Sequence, residues 1–217
     1  MMKGLSIKVL VVLVVLGAVH AAWFGTTTRS VTTRLTPTNY EMTYAMAWGL
    51  GMKERLTLMQ VGDSKSSTST DWIEVSDKPY NSGAVVYARD DGQDYLIGIN
   101  YDIYRFLPGR ALSRLSCDRE SFLELTAFAK QLVGLRSKGQ RADDIDPGAR
   151  RRFEVLQPGD ASGSIATNPP SSRYYFGLRY LGRFGLAAVS GSSEREIRFV
   201  PAESSPEPRL ALHEACP

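Results

Sequence analysis

The stretch Tyr40-Glu41-Met42-Thr43-Tyr44-Ala45-Met46-Ala47-Trp48-Gly49-Leu50-Gly51-Met52-Lys53 changes character at every residue. Tyr40, Met42, Tyr44, Met46, Trp48, Leu50 and Met52 take every second position, and smaller or polar residues take the others. Successive side chains of a strand point to opposite faces, so seven alternations predict a long half-buried strand with one large-residue face. Gly49 and Gly51 weaken its far end, where a bulge or bend is expected. The Ala- and Met-rich composition also suits a helix; the alternation decides for a strand.

Downstream, Arg55 to Val61 reads as a second strand, Gly62 to Thr70 as a polar loop, and Trp72-Ile73-Glu74-Val75 as a short third strand. Ala84–Ala88 then leads through Asp90-Asp91-Gly92-Gln93 into Tyr95–Ile103. Asp-Gly supplies the positive φ of a hairpin turn, and Tyr95, Ile97, Ile99, Tyr101 and Ile103 are expected to share one face. Asp118 is a good N-cap for a helix carrying Phe122, Leu125, Phe128, Ala129, Leu132 and Val133 at helical spacing. A shorter helix is expected from Pro147, capped by Asp146. Pro158 to Ser172 reads as a loop. Strands return at Tyr174–Tyr180, Gly182–Ser190 and Glu196–Val200, followed by an extended tail over Pro201–Arg209.

The predicted class is therefore α+β: a mainly antiparallel β-sheet, with one clear and one short α-helix inserted between two groups of strands. Tyr95–Tyr101 and Tyr174–Tyr180 share the pattern Tyr-x-apolar-Gly-apolar-x-Tyr, which is too short to establish a duplication.

Upstream, residues 26–38 are Thr-rich, hold Arg29, Arg34 and Pro37, and show no apolar period; they read as a linker. Residues 1–25 read as a signal peptide or a transmembrane anchor. Lys3 and Lys8 precede an unbroken apolar run from Val9 to Val19. Its length suits a signal peptide, and Val19-His20-Ala21 offers a cleavage site before Ala22. An anchor over residues 5–25, with Trp23 and Phe24 at the outer interface, is the competing reading and makes the membrane a contact. Both readings export residues 39–217 as one domain, periplasmic, extracytoplasmic or held at the membrane.

Charge narrows the partners. Lysine and arginine total 26 against 23 acids; removing Lys3 and Lys8 leaves 24 − 23, or +1. No field of one sign directs this domain to nucleic acid. Arg150-Arg151-Arg152 lies just after Asp143, Asp144 and Asp146, as on a solvated face. The two cysteines, Cys117 and Cys216, form an even count in an exported chain and are expected to pair as a disulfide.

Chemistry-bearing motifs are sparse. His213 is the one histidine outside the leader, so a histidine-rich zinc site is excluded, and no Gly-x-Ser-x-Gly elbow accompanies a serine. No phosphate loop occurs, and Asp90–Asp94 lacks calcium-loop spacing. No cofactor is expected. Glu74, Asp94 and Asp102, on or beside strands, are the carboxylates open to hydrolytic chemistry, although a solvent-face role is the plainer one for each. Tyr95, Tyr101, Tyr174 and Tyr180 form a candidate recognition face if they point outward; core packing is the plainer reading. The function expected is a non-catalytic cell-envelope domain binding a protein or a surface polymer. The alternative is a secreted or periplasmic hydrolase using strand-borne carboxylates.

Overall fold

A computed structural model describes residues 8–19, 28–48, 51–75, 83–89, 92, 94–99, 102–114, 156, 162–173, 175, 177–188 and 195–208. The helix expected after Asp118 lies outside these residues, as do Cys117, Cys216 and His213; of the shorter helix expected from Pro147 to before Pro158 only Leu156 is described, and it forms a parallel β-bridge to Ala187 instead. Residues 8–19 are helical, with Val9 to Leu16 and Val19 exposed. Among the described residues no helix is long and apolar enough to cross a membrane.

Among the described residues eleven strands form two antiparallel sheets. The first contains β1 (Arg29–Leu35), β2 (Tyr40–Trp48), β3 (Met52–Gln60) and β4 (Asp63–Ser69) in that order, with β5 (Ile73–Glu74) also paired to β3. The second contains β6 (Ala84–Arg89), β7 (Tyr95–Ile99), β8 (Asp102–Phe106), β9 (Ser113–Arg114), β10 (Leu178–Ala188) and β11 (Arg195–Pro201), in the order β11-β10-β6-β7-β8-β9. Met42, Tyr44, Met46, Leu56 and Leu58 of the first sheet share one core with Val86, Ile97, Phe106, Phe184 and Phe199 of the second. The sheets thus pack face to face, and their edges approach on both sides. The backbone N–H of Leu112 donates to Thr68 Oγ1 at 3.0 Å beside β4, and β1 runs alongside β11. Burial of large side chains in such a core stabilises by ~1.5–3 kcal/mol each.

Five expectations about the strands are corrected. The opening alternation ends at Trp48, because the chain reverses and pairs Trp48 with Met52. The expected linker carries β1, in register with β2 from Arg29↔Met46 to Leu35↔Tyr40. The expected polar loop after Gly62 is β4, an edge strand whose Lys65, Ser66, Ser67 and Ser69 face water, as edges commonly do. Tyr95–Ile103 is two strands, since Ile99 pairs with Asp102. Ile103 therefore does not continue the face of Ile99.

The last correction joins Leu178–Tyr180 and Gly182–Ala188, parts of the two expected strands Tyr174–Tyr180 and Gly182–Ser190, into the single strand β10, with an irregularity at Leu181. Tyr180 pairs with Tyr87, but Gly182 pairs with Val86, so one extra residue switches which alternate side chains face the core. Before it, Tyr180 packs with Tyr87 on the outer face; after it, Phe184 and Leu186 enter the shared core. Gly182 has φ +141°, and a Cβ there would lie 2.4 Å from the Val200 carbonyl oxygen. Only glycine fits that crossing.

Candidate functional site

Two of the four candidate tyrosines, Tyr95 and Tyr180, lie among the described residues, and both are buried. Tyr95 is 1% exposed in the core between the sheets, whereas Tyr180 is 2% exposed in a separate cluster with Val85, Tyr87, Leu96, Tyr175 and Leu178. The two rings occupy opposite faces of one sheet, because Tyr95 follows the inward parity of β7 and Tyr180 precedes the switch in β10. Tyr101 and Tyr174 lie outside the described residues.

The three candidate carboxylates do different things. Glu74 is exposed. Asp102 pairs with Arg114 at 2.5 Å on the surface. Asp94 departs from a solvent-face role: it is buried between Arg105 Nε at 2.5 Å and Arg89 Nε at 3.4 Å, while both guanidinium groups reach solvent.

Two further buried carboxylates, Glu54 and Glu207, are unmarked by any sequence motif. Glu54 is fully buried in β3, between the inward-facing Met52 and Leu56. Its Oε2 accepts from the Tyr44 hydroxyl at 2.6 Å and from the Gly83 N–H at 3.0 Å, while Oε1 has no hydrogen-bond partner among the described residues. Burial pushes its carboxyl up to about 7, and the two donors offset only part of that effect. Burial, and then the adjacent Glu54, hold the Tyr44 phenol well above its ordinary value. The pair can hold a proton near neutrality, and both side chains are fully buried. Its parity with Met52, Leu56 and Leu58 is the signal that places Glu54 inside.

Glu207 fastens the segment after β11 to the outer face of the second sheet. Its oxygens accept from Ser172 Oγ at 2.5 Å and from the Arg173 N–H at 2.6 Å. Burial raises its carboxyl above the usual range, against the lowering effect of those donors. Tyr87 lies beside it, with its ring centroid 5.3 Å from that of Tyr175 and 5.8 Å from that of Tyr180.

The first sheet presents a different surface. Because Met42, Tyr44, Leu56 and Leu58 point inward, the alternate residues point out. Register aligns Thr32 with Thr43, Thr43 with Thr57, and Thr57 with Ser69, giving a row of four hydroxyls across β1 to β4. At ordinary strand spacing the row spans ~14 Å. Thr32 and Ser69 are exposed, and Thr43 and Thr57 are half-buried. The hydroxyls of Thr32 and Thr43 bond at 2.7 Å, and Arg55 Nη2 donates to Ser69 Oγ at 2.6 Å. The Arg55 guanidinium also lies 5.9 Å from the centre of the Trp72 ring.

Among the described residues no three His, Cys, Asp or Glu side chains are grouped to hold a metal. No family model matches the chain, and comparison with curated proteins and with solved structures finds no match.

Proposed function

We propose that this chain is an exported, non-catalytic domain of the cell envelope that binds a surface polymer or a partner protein through the outer face of the β1–β4 sheet. The observation that carries the reading is the register-aligned row Thr32, Thr43, Thr57 and Ser69. Such a row exchanges neutral hydrogen bonds and suits a hydroxyl-rich chain lying across the strands. Arg55 and Trp72 flank it with a cationic and an aromatic group, both common at recognition surfaces.

Export is supported by Lys3 and Lys8 and by a helix over residues 8–19 that is apolar on every side except at Lys8. Hydrolysis by paired acids requires two carboxylates facing one substrate. Glu54, Asp94 and Glu207 are instead each engaged with separate donors, which favours binding. Cell fractionation with N-terminal sequencing tests the compartment. A chain starting near Ala22 in the osmotic-shock fluid, or an intact one in the membrane, agrees with export. Recovery of intact chain in the cytosol contradicts it.

A further inference from the structure

We propose, resting on the reading of the β1–β4 outer face as the binding surface, that its ligand is an extended β-(1→4)-linked glycan bearing carboxylates. The glycan lies across the strands, with one sugar over each hydroxyl of the row and a carboxylate at Arg55. Thr32, Thr43, Thr57 and Ser69 come from four successive strands in register, so their hydroxyls recur at the strand spacing of ~4.8 Å. Pyranoses joined through equatorial bonds form an extended chain, and each sugar advances it by close to one strand spacing. Successive sugars can therefore meet successive hydroxyls along the whole row. An α-linked glucan coils instead and leaves the row after a sugar or two.

The hydroxyls keep bonding capacity for such a partner. Each offers one donor and two acceptor positions. The bond between Thr32 and Thr43 uses one donor and one acceptor, and Ser69 gives one acceptor position to Arg55. The neighbouring rows shape the face. On one side Ser30 aligns with Ala45, and Ala45 with Arg55, so the small Ala45 leaves a low strip between the longer side chains. On the other side Arg34 aligns with Glu41, and Glu41 with Met59.

Charge complementarity selects an acidic glycan over a neutral one. Arg34 is matched by Glu41 across β1 and β2, and Lys53 by Glu74 across β3 and β5. Arg55 has Ala45 opposite it and is held by Ser69 and Trp72, none of them an acid. Asp71, next to Trp72, acts on Tyr104 of the second sheet. With Nη2 donating to Ser69 Oγ and the Trp72 ring centre 5.9 Å away, the guanidinium is fixed beside the Ser69 end of the row. A guanidinium can take two carboxylate oxygens at once, and one already held in place loses less freedom on binding.

The test co-sediments the full chain, in detergent, with three insoluble glucans. One is a β-(1→4)-glucan whose primary hydroxyls are oxidised to carboxylates, the second is the same glucan unoxidised, and the third is an α-(1→4)-glucan. The oxidised β-glucan should bind tightest, on the order of tenfold above its neutral parent, and the α-glucan weakest. Arg55→Gln should bind the two β-glucans alike, and molar salt should remove the parent chain's preference in the same way. No binding to the oxidised β-glucan, equal binding of either other glucan, or a preference that survives Arg55→Gln overturns the proposal. If that variant does not fold, molar salt decides: a preference that persists there overturns the proposal, and one that vanishes sustains it. A chain that pellets with isolated cell-envelope polymer but with none of the three glucans keeps its binding face and loses this ligand. One that pellets with neither the polymer nor any glucan loses both.

Discussion

Tyr44 and Glu54 meet on adjacent strands, with the Tyr44 hydroxyl donating to Glu54 Oε2 at 2.6 Å inside the shared core. They are diagonal neighbours rather than direct partners, since Tyr44 faces Leu56 and Glu54 faces Met46 in register. The tyrosine ring stacks on Phe184 of the opposite sheet, so one side chain both packs the core and satisfies the buried acid.

Replacing Tyr44 with Phe keeps the ring and removes the donor. The expected loss is about 1.5–3 kcal/mol at pH 8, where Glu54 is ionised, and less at pH 5, where the acid is neutral. Urea unfolding at the two pH values measures the difference. An equal loss at both contradicts a charged acceptor.

Gly182→Ala places a Cβ 2.4 Å from the Val200 carbonyl oxygen at a φ of +141°. Neither contact nor backbone can relax without disturbing β10 or β11. A destabilisation of about 3 kcal/mol or more is expected, read as a drop in the thermal midpoint. An unchanged midpoint would show that the switch in strand parity tolerates a side chain.

Asp94→Ala removes the acceptor shared by Arg89 and Arg105. Both guanidinium groups reach solvent, so neither is left buried and unpaired. The expected cost is about 1–3 kcal/mol, below that of stranding a buried charge. Denaturant unfolding of the variant measures it.

Glu207→Ala leaves Ser172 Oγ and the Arg173 amide without their acceptor. Hydrogen exchange should quicken at Arg173 and at Ala202, whose amide bonds to the Leu181 carbonyl. The Leu56 amide, distant in the first sheet, should exchange as before, since the change is a local opening.

The strands were legible where one face is buried, as in β2, because period-2 alternation reports that directly. Alternation was blind to β4, which has no apolar set to display and owes its form to pairing with β3. It was equally blind to the reversal between Ile99 and Asp102, since all five residues of β7 are buried and no face contrasts with the other. The opposite placement of Tyr95 and Tyr180 was hidden for a related reason. An extra residue at Leu181 changes the parity of β10, and nothing in Arg179-Tyr180-Leu181-Gly182 marks it except a glycine. Glu54 was within reach, because Met52, Leu56 and Leu58 share its parity, but a lone acid between Lys53 and Arg55 reads as a surface charge.

The binding face is tested most directly by co-sedimenting the purified full chain with isolated cell-envelope polymer from the producing cells, alongside a Thr43→Arg/Thr57→Arg variant. Both residues sit at the centre of the hydroxyl row with outward side chains, so arginine is accommodated without entering the core. The account predicts that the parent chain pellets with the polymer and that the folded variant stays in the supernatant. Equal sedimentation of the two, with both chains folded, contradicts it.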